Sequence, residues 1–117
     1  NDGSEIDCYV NITPPCDIAQ SKKNVDLYLS GKIYGFDSYG EALKKFKNSD
    51  GDRYYKTPPA LYGPDNFLVF SFDLRSISRK IVQKGTQPSF TLKESIFADL
   101  MQKFGHHNSR LGARTFN

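Results

Sequence analysis

Several features that often reveal the class of a protein are missing from this sequence. Tryptophan is absent. No apolar run approaches the roughly 20 residues that a bilayer-spanning helix needs, so we expect no contact with a membrane. Neither G-x-x-x-x-G-K nor G-x-G-x-x-G occurs, which excludes the two common glycine-rich phosphate loops. The length of 117 residues corresponds to a single domain. Because the chain begins at Asn1 rather than Met and enters a strand pattern almost at once, we expect a C-terminal piece of a longer protein with a fused upstream domain.

Metal-binding side chains are scarce. The only histidines are the adjacent His106 and His107, and the two cysteines, Cys8 and Cys16, do not show metal-ligand spacing. We therefore expect no metal and no cofactor. A disulfide between the two cysteines would require an oxidising compartment, whereas two free thiols fit the cytoplasm. We expect the cytoplasm because nothing else in the sequence indicates secretion.

Charge is distributed unevenly along the chain. Residues 1–66 hold eight Lys and Arg against ten Asp and Glu, a net charge of −2, whereas residues 67–117 hold eight against three, a net charge of +5. A basic half is compatible with nucleic acid or an acidic protein as a partner, and it is also compatible with an ordinary solvated surface. The excess suggests a class of partner without identifying one.

Alternating apolar residues predict three main strands. Ile6–Ile12 is the first, Val25–Tyr34 is a second in which Gly31 marks a bulge, and Phe67–Ile77 is the clearest. A shorter strand is predicted at Arg53–Lys56. In the clearest strand, alternation places four residues on one buried face: Leu68, Phe70, Phe72 and Leu74.

The second of two predicted helices lies near the C-terminus. A Thr-x-x-Glu capping box at Thr91–Glu94 starts it. Gly105 is placed to end it as a left-handed cap, so that His106 and His107 follow the helix. Its apolar stripe repeats every four residues: Leu92, Ile96, Leu100 and Phe104.

The first helix begins at another capping box, Ser38–Glu41, and its apolar face comprises Tyr39, Leu43 and Phe46. Several strands with these two helices predict an α+β domain. Parallel pairing would need more crossover helices than the chain has. The expected architecture is therefore a small curled antiparallel sheet or an SH3-like barrel with two helices, one of them C-terminal.

The sharpest basic cluster lies at the end of the clearest strand. Arginine forks match phosphate geometry, so we expect this cluster to contact nucleic acid or a partner protein. Tyr54, Tyr55 and Tyr62 either present stacking faces for exposed bases or pack with only their hydroxyls at the surface. The basic residues of the expected contact set are Arg75, Arg79, Lys80, Arg110 and Arg114.

The loop Thr13–Gln20 presents a Cys-Asp pair after a double proline. Cys16 with a histidine base would be a nucleophile, but the turn chemistry of Asp17 explains the pair without catalysis, and we prefer this structural interpretation. No catalytic residue is assigned, and the sequence leaves open whether the protein is an enzyme.

Three segments resemble, in the same order, a signature of bacterial proteins associated with prokaryotic defence and signalling loci, phage defence among them. The first is their "TP-x-CDI" motif, for which Thr13, Cys16 and Asp17 are the loop markers here. The others are "YYLPP…LVVDFR" and "L-x-S-P-F…L…F…R-x-G". The matching segments are Ile12–Gln20, Arg53–Pro59 with Phe67–Ser76, and Phe90–Phe97 with Arg110–Gly112.

This arrangement is similar in turn to the PemK/MazF-like toxin fold, an SH3-like barrel that ends in a helix. The similarity implies that the Thr13–Gln20 loop lies beside Asp73–Arg75 at one end of the barrel. The opening Gly-Asp strand and the early arginine-rich loop of that family have no counterpart here, so no ribonuclease residue is carried over.

Two functions of different classes follow. The first is a binding or regulatory module of a prokaryotic defence-type protein, which contacts nucleic acid or a partner protein through its basic second half. The alternative is a metal-independent endoribonuclease of the PemK/MazF-like class, whose activity would be lost in Arg75→Ala or Arg79→Ala.

Overall fold

Five strands and two helices make up the domain in the computed structural model, which describes residues 5–13, 25–81 and 90–110. Every strand pairing in this part of the chain is antiparallel. The predicted α+β class is confirmed, including the C-terminal position of the second helix. In chain order the elements are β1 (Glu5–Asn11), β2 (Val25–Phe36), α1 (Tyr39–Lys47), β3 (Tyr54–Lys56), β4 (Ala60–Tyr62), β5 (Asn66–Ile81) and α2 (Glu94–Arg110).

The strands form one sheet in the order β1-β2-β5-β3, and β4 also pairs with β5. Within the described ranges, β1 and β3 are the two edges and do not pair with each other, so the sheet is open. Of the two expected architectures, the open antiparallel sheet is correct and the closed SH3-like barrel is wrong.

One face of the sheet packs against α2 and forms the main core. Leu29 and Leu100 are fully buried there, and Phe72 is almost so. Burial of one such side chain contributes about 2 kcal/mol to folding. The predicted face of β5 and the predicted stripe of α2 are both confirmed, because all of their members belong to this cluster: Leu68, Phe70, Phe72, Leu74, Leu92, Ile96, Leu100 and Phe104.

The opposite face of the sheet is covered at one end by α1. Ser38 Oγ accepts a hydrogen bond from the backbone N–H of Glu41 at 3.2 Å, which confirms the predicted cap. The buried contact of this helix is made by Ala42, against Phe36 and Val69. Tyr39, on the predicted apolar face, is 52% exposed, and its ring meets that of Phe67 edge-on with 5.8 Å between the ring centres.

A large bulge separates the two halves of β5. Leu29 pairs with Ile77 and Gly31 pairs with Phe72, so Ser30 alone faces the four residues Asp73–Ser76. A Cβ at residue 31 would lie 2.4 Å from the carbonyl oxygen of Ser71, so only glycine fits where β2 passes the bulge. The predicted bulge at Gly31 is confirmed. Residues 73–76 are called the bulge segment below.

Helix α2 differs from its prediction at both ends. It begins at Glu94, two residues later than the capping box predicts. It also continues through Gly105 to Arg110, so the predicted glycine cap is wrong, and His106 and His107 lie inside the helix. A helical glycine costs about 1 kcal/mol relative to alanine. Burial of His107 and Asn108 against the rest of the domain offsets that cost.

Candidate functional site

The carboxylate of Asp73 receives three hydrogen bonds at the start of the bulge segment. Arg53 donates two, from Nε to Oδ1 at 2.9 Å and from Nη2 to Oδ2 at 2.8 Å, and the backbone N–H of Arg75 donates the third at 3.0 Å. Partial burial raises the pKa of Asp73, but the bonds from Arg53 and Arg75 outweigh this effect and hold the pKa below its ordinary value. Asp73 is therefore ionised at neutral pH, and both of its oxygens are occupied within the protein.

The side chain of Arg75 turns away from Asp73 and towards α2. Its Nε donates to Nε2 of His107 at 3.3 Å. Nε2 of His107 is the acceptor in this contact, because a guanidinium can only donate. The two terminal nitrogens of the Arg75 guanidinium make no hydrogen bond or ion pair to any described residue, which leaves the forked end of the side chain available.

Arg79 lies four residues further along β5 and is exposed. It pairs with Leu27, which packs against the main core, so Arg79 is on the face of the sheet that carries α2. Over the described ranges, neither Arg75 nor Arg79 meets a carboxylate. We call these two residues, with the His107 that positions one of them, the arginine corner.

The other basic residues of the expected contact set are only partly described. Lys80 belongs to β5 and Arg110 to α2, but their side chains lie outside the described residues, as does the whole of Arg114. Whether these three join the arginine corner stays a prediction.

The described end of the Thr13–Gln20 loop lies level with Arg79. Thr13 Oγ1 accepts a hydrogen bond from the backbone N–H of Leu27 at 2.8 Å, and Leu27 is the partner of Arg79. Thr13 is thus separated from β5 by β2, and it lies level with Arg79 rather than with Asp73–Arg75. The other loop markers, Cys16 and Asp17, lie outside the described residues.

Two basic side chains of the described strands, Lys32 and Lys56, lie on the opposite face of the sheet and are paired. Lys32 contacts Glu5 at 3.2 Å and Asp7 at 2.7 Å. The hydrogen bond to Asp7 raises the pKa of Lys32 above the ordinary value of a lysine. Lys56 is almost buried and contacts Asp50 at 3.0 Å. It also donates to the backbone carbonyl oxygens of Lys45, in the last turn of α1, and of Asn48, the residue after this helix. These cations are therefore neutralised within the protein.

The three candidate stacking tyrosines have different environments. Tyr55 belongs to the main core, and its hydroxyl donates to Asp99 Oδ2 at 2.8 Å, so of the two alternatives for this residue packing is the one observed. Burial, followed by that bond, raises its pKa. Tyr62 is 56% exposed, and its ring meets Phe90 edge-on. Tyr54 is 39% exposed, and the guanidinium of Arg53 lies 5.6 Å from its ring centre.

Two clefts adjoin the short strand β3. The first has a volume of about 520 Å³ and lies towards α2, with His106 and His107 in its wall. The second has a volume of about 620 Å³ and lies on the opposite face of the sheet, over Lys32 and Asp73. Tyr54 lines both clefts, so its ring stands at their common boundary.

The described residues hold no cluster of three metal-ligating side chains. Cys8 is a free thiol on β1, and burial with the nearby Asp7 raises its pKa to about 11. A thiol protonated at neutral pH is a poor nucleophile. Neither of the two described helices combines the length and the apolarity that a membrane crossing requires.

No protein-family model, curated protein or solved structure matches this chain. The site is therefore defined by its own geometry.

Sequence reasoning missed the residues that hold the arginine corner in place. Arg53 and Asp73 are 20 positions apart, and Arg75 and His107 are 32 apart. No local pattern signals contacts of this length. The pairing of β3 with β5 was the missing step, because it brings Tyr54 opposite Asp73 and Arg53 beside it.

Proposed function

We propose that this protein is a binding module that contacts nucleic acid through its arginine corner. The observation that carries the proposal is the difference between the cations of the two sheet faces. Lys32 and Lys56 have carboxylate partners, whereas Arg75 and Arg79 have none in the described part of the chain. An arginine that no carboxylate neutralises is the side chain best suited to a phosphate.

The support for Arg75 is geometric as well as electrostatic. Asp73 fixes its backbone and His107 fixes its Nε, so the forked end is oriented before a ligand arrives. A guanidinium that is already ordered loses less entropy on binding than a free one. The net charge of +5 over residues 67–117 adds long-range attraction for a polyanion.

A fluorescence-anisotropy titration against RNA, single-stranded DNA and duplex DNA at several salt concentrations tests the proposal. We expect affinity to fall steeply with salt, since phosphate contacts release counterions. Arg75→Ala and Arg79→Ala should each weaken binding. Lys44→Ala, which removes an exposed cation from α1, is the matched control and should not.

Absence of salt-dependent binding to any of these nucleic acids would reject the proposal. A partner protein would then be the remaining occupant of the arginine corner. The resemblance to defence-associated bacterial proteins supports a regulatory role in such a system, in the cytoplasm. Two free thiols in denatured, unreduced protein would agree with that compartment.

A second candidate function is metal-independent endoribonuclease activity. The contact between Arg75 and His107 favours it, because it joins a proton-transfer group to a phosphate-stabilising one. Cleavage of single-stranded RNA without Mg²⁺, lost in Arg75→Ala, would establish this activity. RNA that stays intact after long incubation at high protein concentration would exclude it.

A further inference from the structure

Tyr54 occupies an unusual place on the molecular surface. It belongs to β3, an edge strand, and pairs with Asp73. Its side chain is 39% exposed and lines the clefts on both sides of the strand. Asp50 also lines both clefts, so a linear ligand that passes from one cleft to the other runs past Tyr54 and Asp50.

Acidic side chains outnumber basic ones in both clefts, since three carboxylates and two lysines line each. In the first cleft, Lys56 faces Asp50 and Lys103 lies 3.6 Å from Asp99. In the second, Lys32 faces Asp7. Such surroundings suit an uncharged ring with polar edges better than a phosphate. Both volumes are within the usual range for clefts that bind small organic groups.

We propose that the ligand is a single-stranded nucleic acid, with one base stacked on Tyr54 and the neighbouring phosphates at the arginine corner. This inference rests on the proposed function and specifies its ligand. The carbonyl oxygen of Arg53 accepts from the backbone N–H of Leu74, so Tyr54 and Arg75 are held on adjacent strands. A base paired in a duplex has no free face for the tyrosine, whereas an unpaired base does.

Other tyrosines are less suited to this role. Tyr55 is buried. Lys45 Nζ lies 4.1 Å from the ring centre of Tyr34, closer than the 5.6 Å between the Arg53 guanidinium and the ring centre of Tyr54. Tyr62 is more exposed than Tyr54 but lines neither cleft and lies at the β4–β5 turn. Tyr62 is for this reason the natural control.

The test compares intact strands with strands that carry abasic sites. Fluorescein-labelled single-stranded RNA and DNA of one sequence, their abasic counterparts and the matching duplexes are titrated with the wild-type chain. We expect the wild type to bind intact strands roughly five- to one-hundred-fold more tightly than abasic strands. Tyr54→Leu, which keeps an apolar side chain on β3 but removes the ring, should bind both kinds of strand equally.

Two further variants separate stacking from a change in fold. Tyr54→Phe keeps the ring and should restore the preference for intact strands, while Tyr62→Leu should leave it unchanged. Circular dichroism and thermal unfolding establish that each variant is folded. The RNA and DNA arms show whether the sugar affects affinity.

The outcomes distinguish this inference from the proposed function. If Tyr54→Leu weakens binding to intact and abasic strands by the same factor, or if duplexes bind the wild type as tightly as single strands, stacking on Tyr54 is wrong and the arginine corner stands. If no nucleic acid binds the wild type, both proposals are wrong.

Discussion

The two faces of the sheet differ in how the basic residues of their described strands are partnered. On the face away from α2, Lys32 and Lys56 are each within ion-pair distance of a carboxylate. On the face that carries α2, Arg75 donates to the imidazole of His107, and Arg79 meets no acidic partner in the described ranges. Net charge alone does not show this contrast. A cation is available for a ligand only when the fold supplies no anion of its own.

The contrast originates in the few acidic residues of the second half. Residues 67–117 contain three: Asp73, Glu94 and Asp99. Asp73 is bound by Arg53 from the first half of the chain, and Asp99 by Tyr55 and Lys103. Asp73 therefore accepts hydrogen bonds from the side chain of Arg53 and from the backbone of Arg75, but not from the Arg75 guanidinium.

The largest effect is expected from Gly31→Val, which disrupts the close packing of β2 against β5 at the bulge. The added side chain would collide with the backbone of Ser71 and with Phe72, so we expect a loss of about 3 kcal/mol in the free energy of unfolding. Urea denaturation measures it. Gly105→Ala is the control, because nothing lies within 4 Å of the added carbon, and it should stabilise α2 by up to about 1 kcal/mol. Equal effects of the two substitutions would contradict this account of Gly31.

The next largest effect is expected from Asp73→Asn, which removes the carboxylate that accepts hydrogen bonds from Arg53 and from the backbone of Arg75. The variant loses the charged acceptor of three hydrogen bonds, and we expect destabilisation of about 2 kcal/mol after allowance for the exposure of Arg53. Chemical denaturation of the two proteins gives the difference. Asp65→Asn, in the exposed turn before β5, should be nearly neutral. An equally neutral Asp73→Asn would show that Asp73 does not hold the bulge segment.

A smaller effect concerns acid stability. The pKa of Asp73 is lower in the folded protein than its value of about 3.9 in an unfolded chain. Its contribution is therefore complete above that pH and is lost as the pH falls through the folded pKa. The stability difference between wild type and Asp73→Asn should be constant near neutral pH and should shrink below about pH 4. Unfolding curves over this range measure it, and a difference that grows on acidification would contradict the assignment.

The smallest effects on stability compare one cation from each face. Lys32→Met removes a paired surface lysine and should change stability only slightly, with no change in the salt dependence of nucleic-acid binding. Arg79→Gln should change stability by less than about 0.5 kcal/mol, yet lower the salt slope by about 1. Unfolding and anisotropy measurements on both variants decide the point. A salt slope that responds to Lys32 instead would place the phosphate contacts on the other face.

Local patterns predict much of this fold because its strands and caps are local features. Alternation identifies β1 and β5, Gly31 marks the bulge, and Ser38 caps α1. The incorrect predictions concern features that depend on tertiary contacts. Gly105 has the sequence character of a cap, but burial of His107 beyond it extends the helix.

The candidate site was predictable only in part. Arg75 and Arg79 stand out because they end a clear strand, and Tyr54 because it is one of two adjacent tyrosines. Alternation says that Tyr54 and Tyr55 face opposite sides but not which one is buried. The partners Arg53 and His107 depend on how distant segments pack, which no short pattern contains.

The bulge segment also determines which residues of β5 face the core on either side of it. Phe72 and Ile77 are five positions apart, yet both pack on the α2 face, so even-numbered residues face the core before the bulge and odd-numbered residues face it afterwards. Removing or adding one residue between them would turn Ile77 outward and Arg79 to the other side of the sheet. A change of two residues would preserve both orientations. The strand therefore constrains the parity of the segment's length as well as its composition.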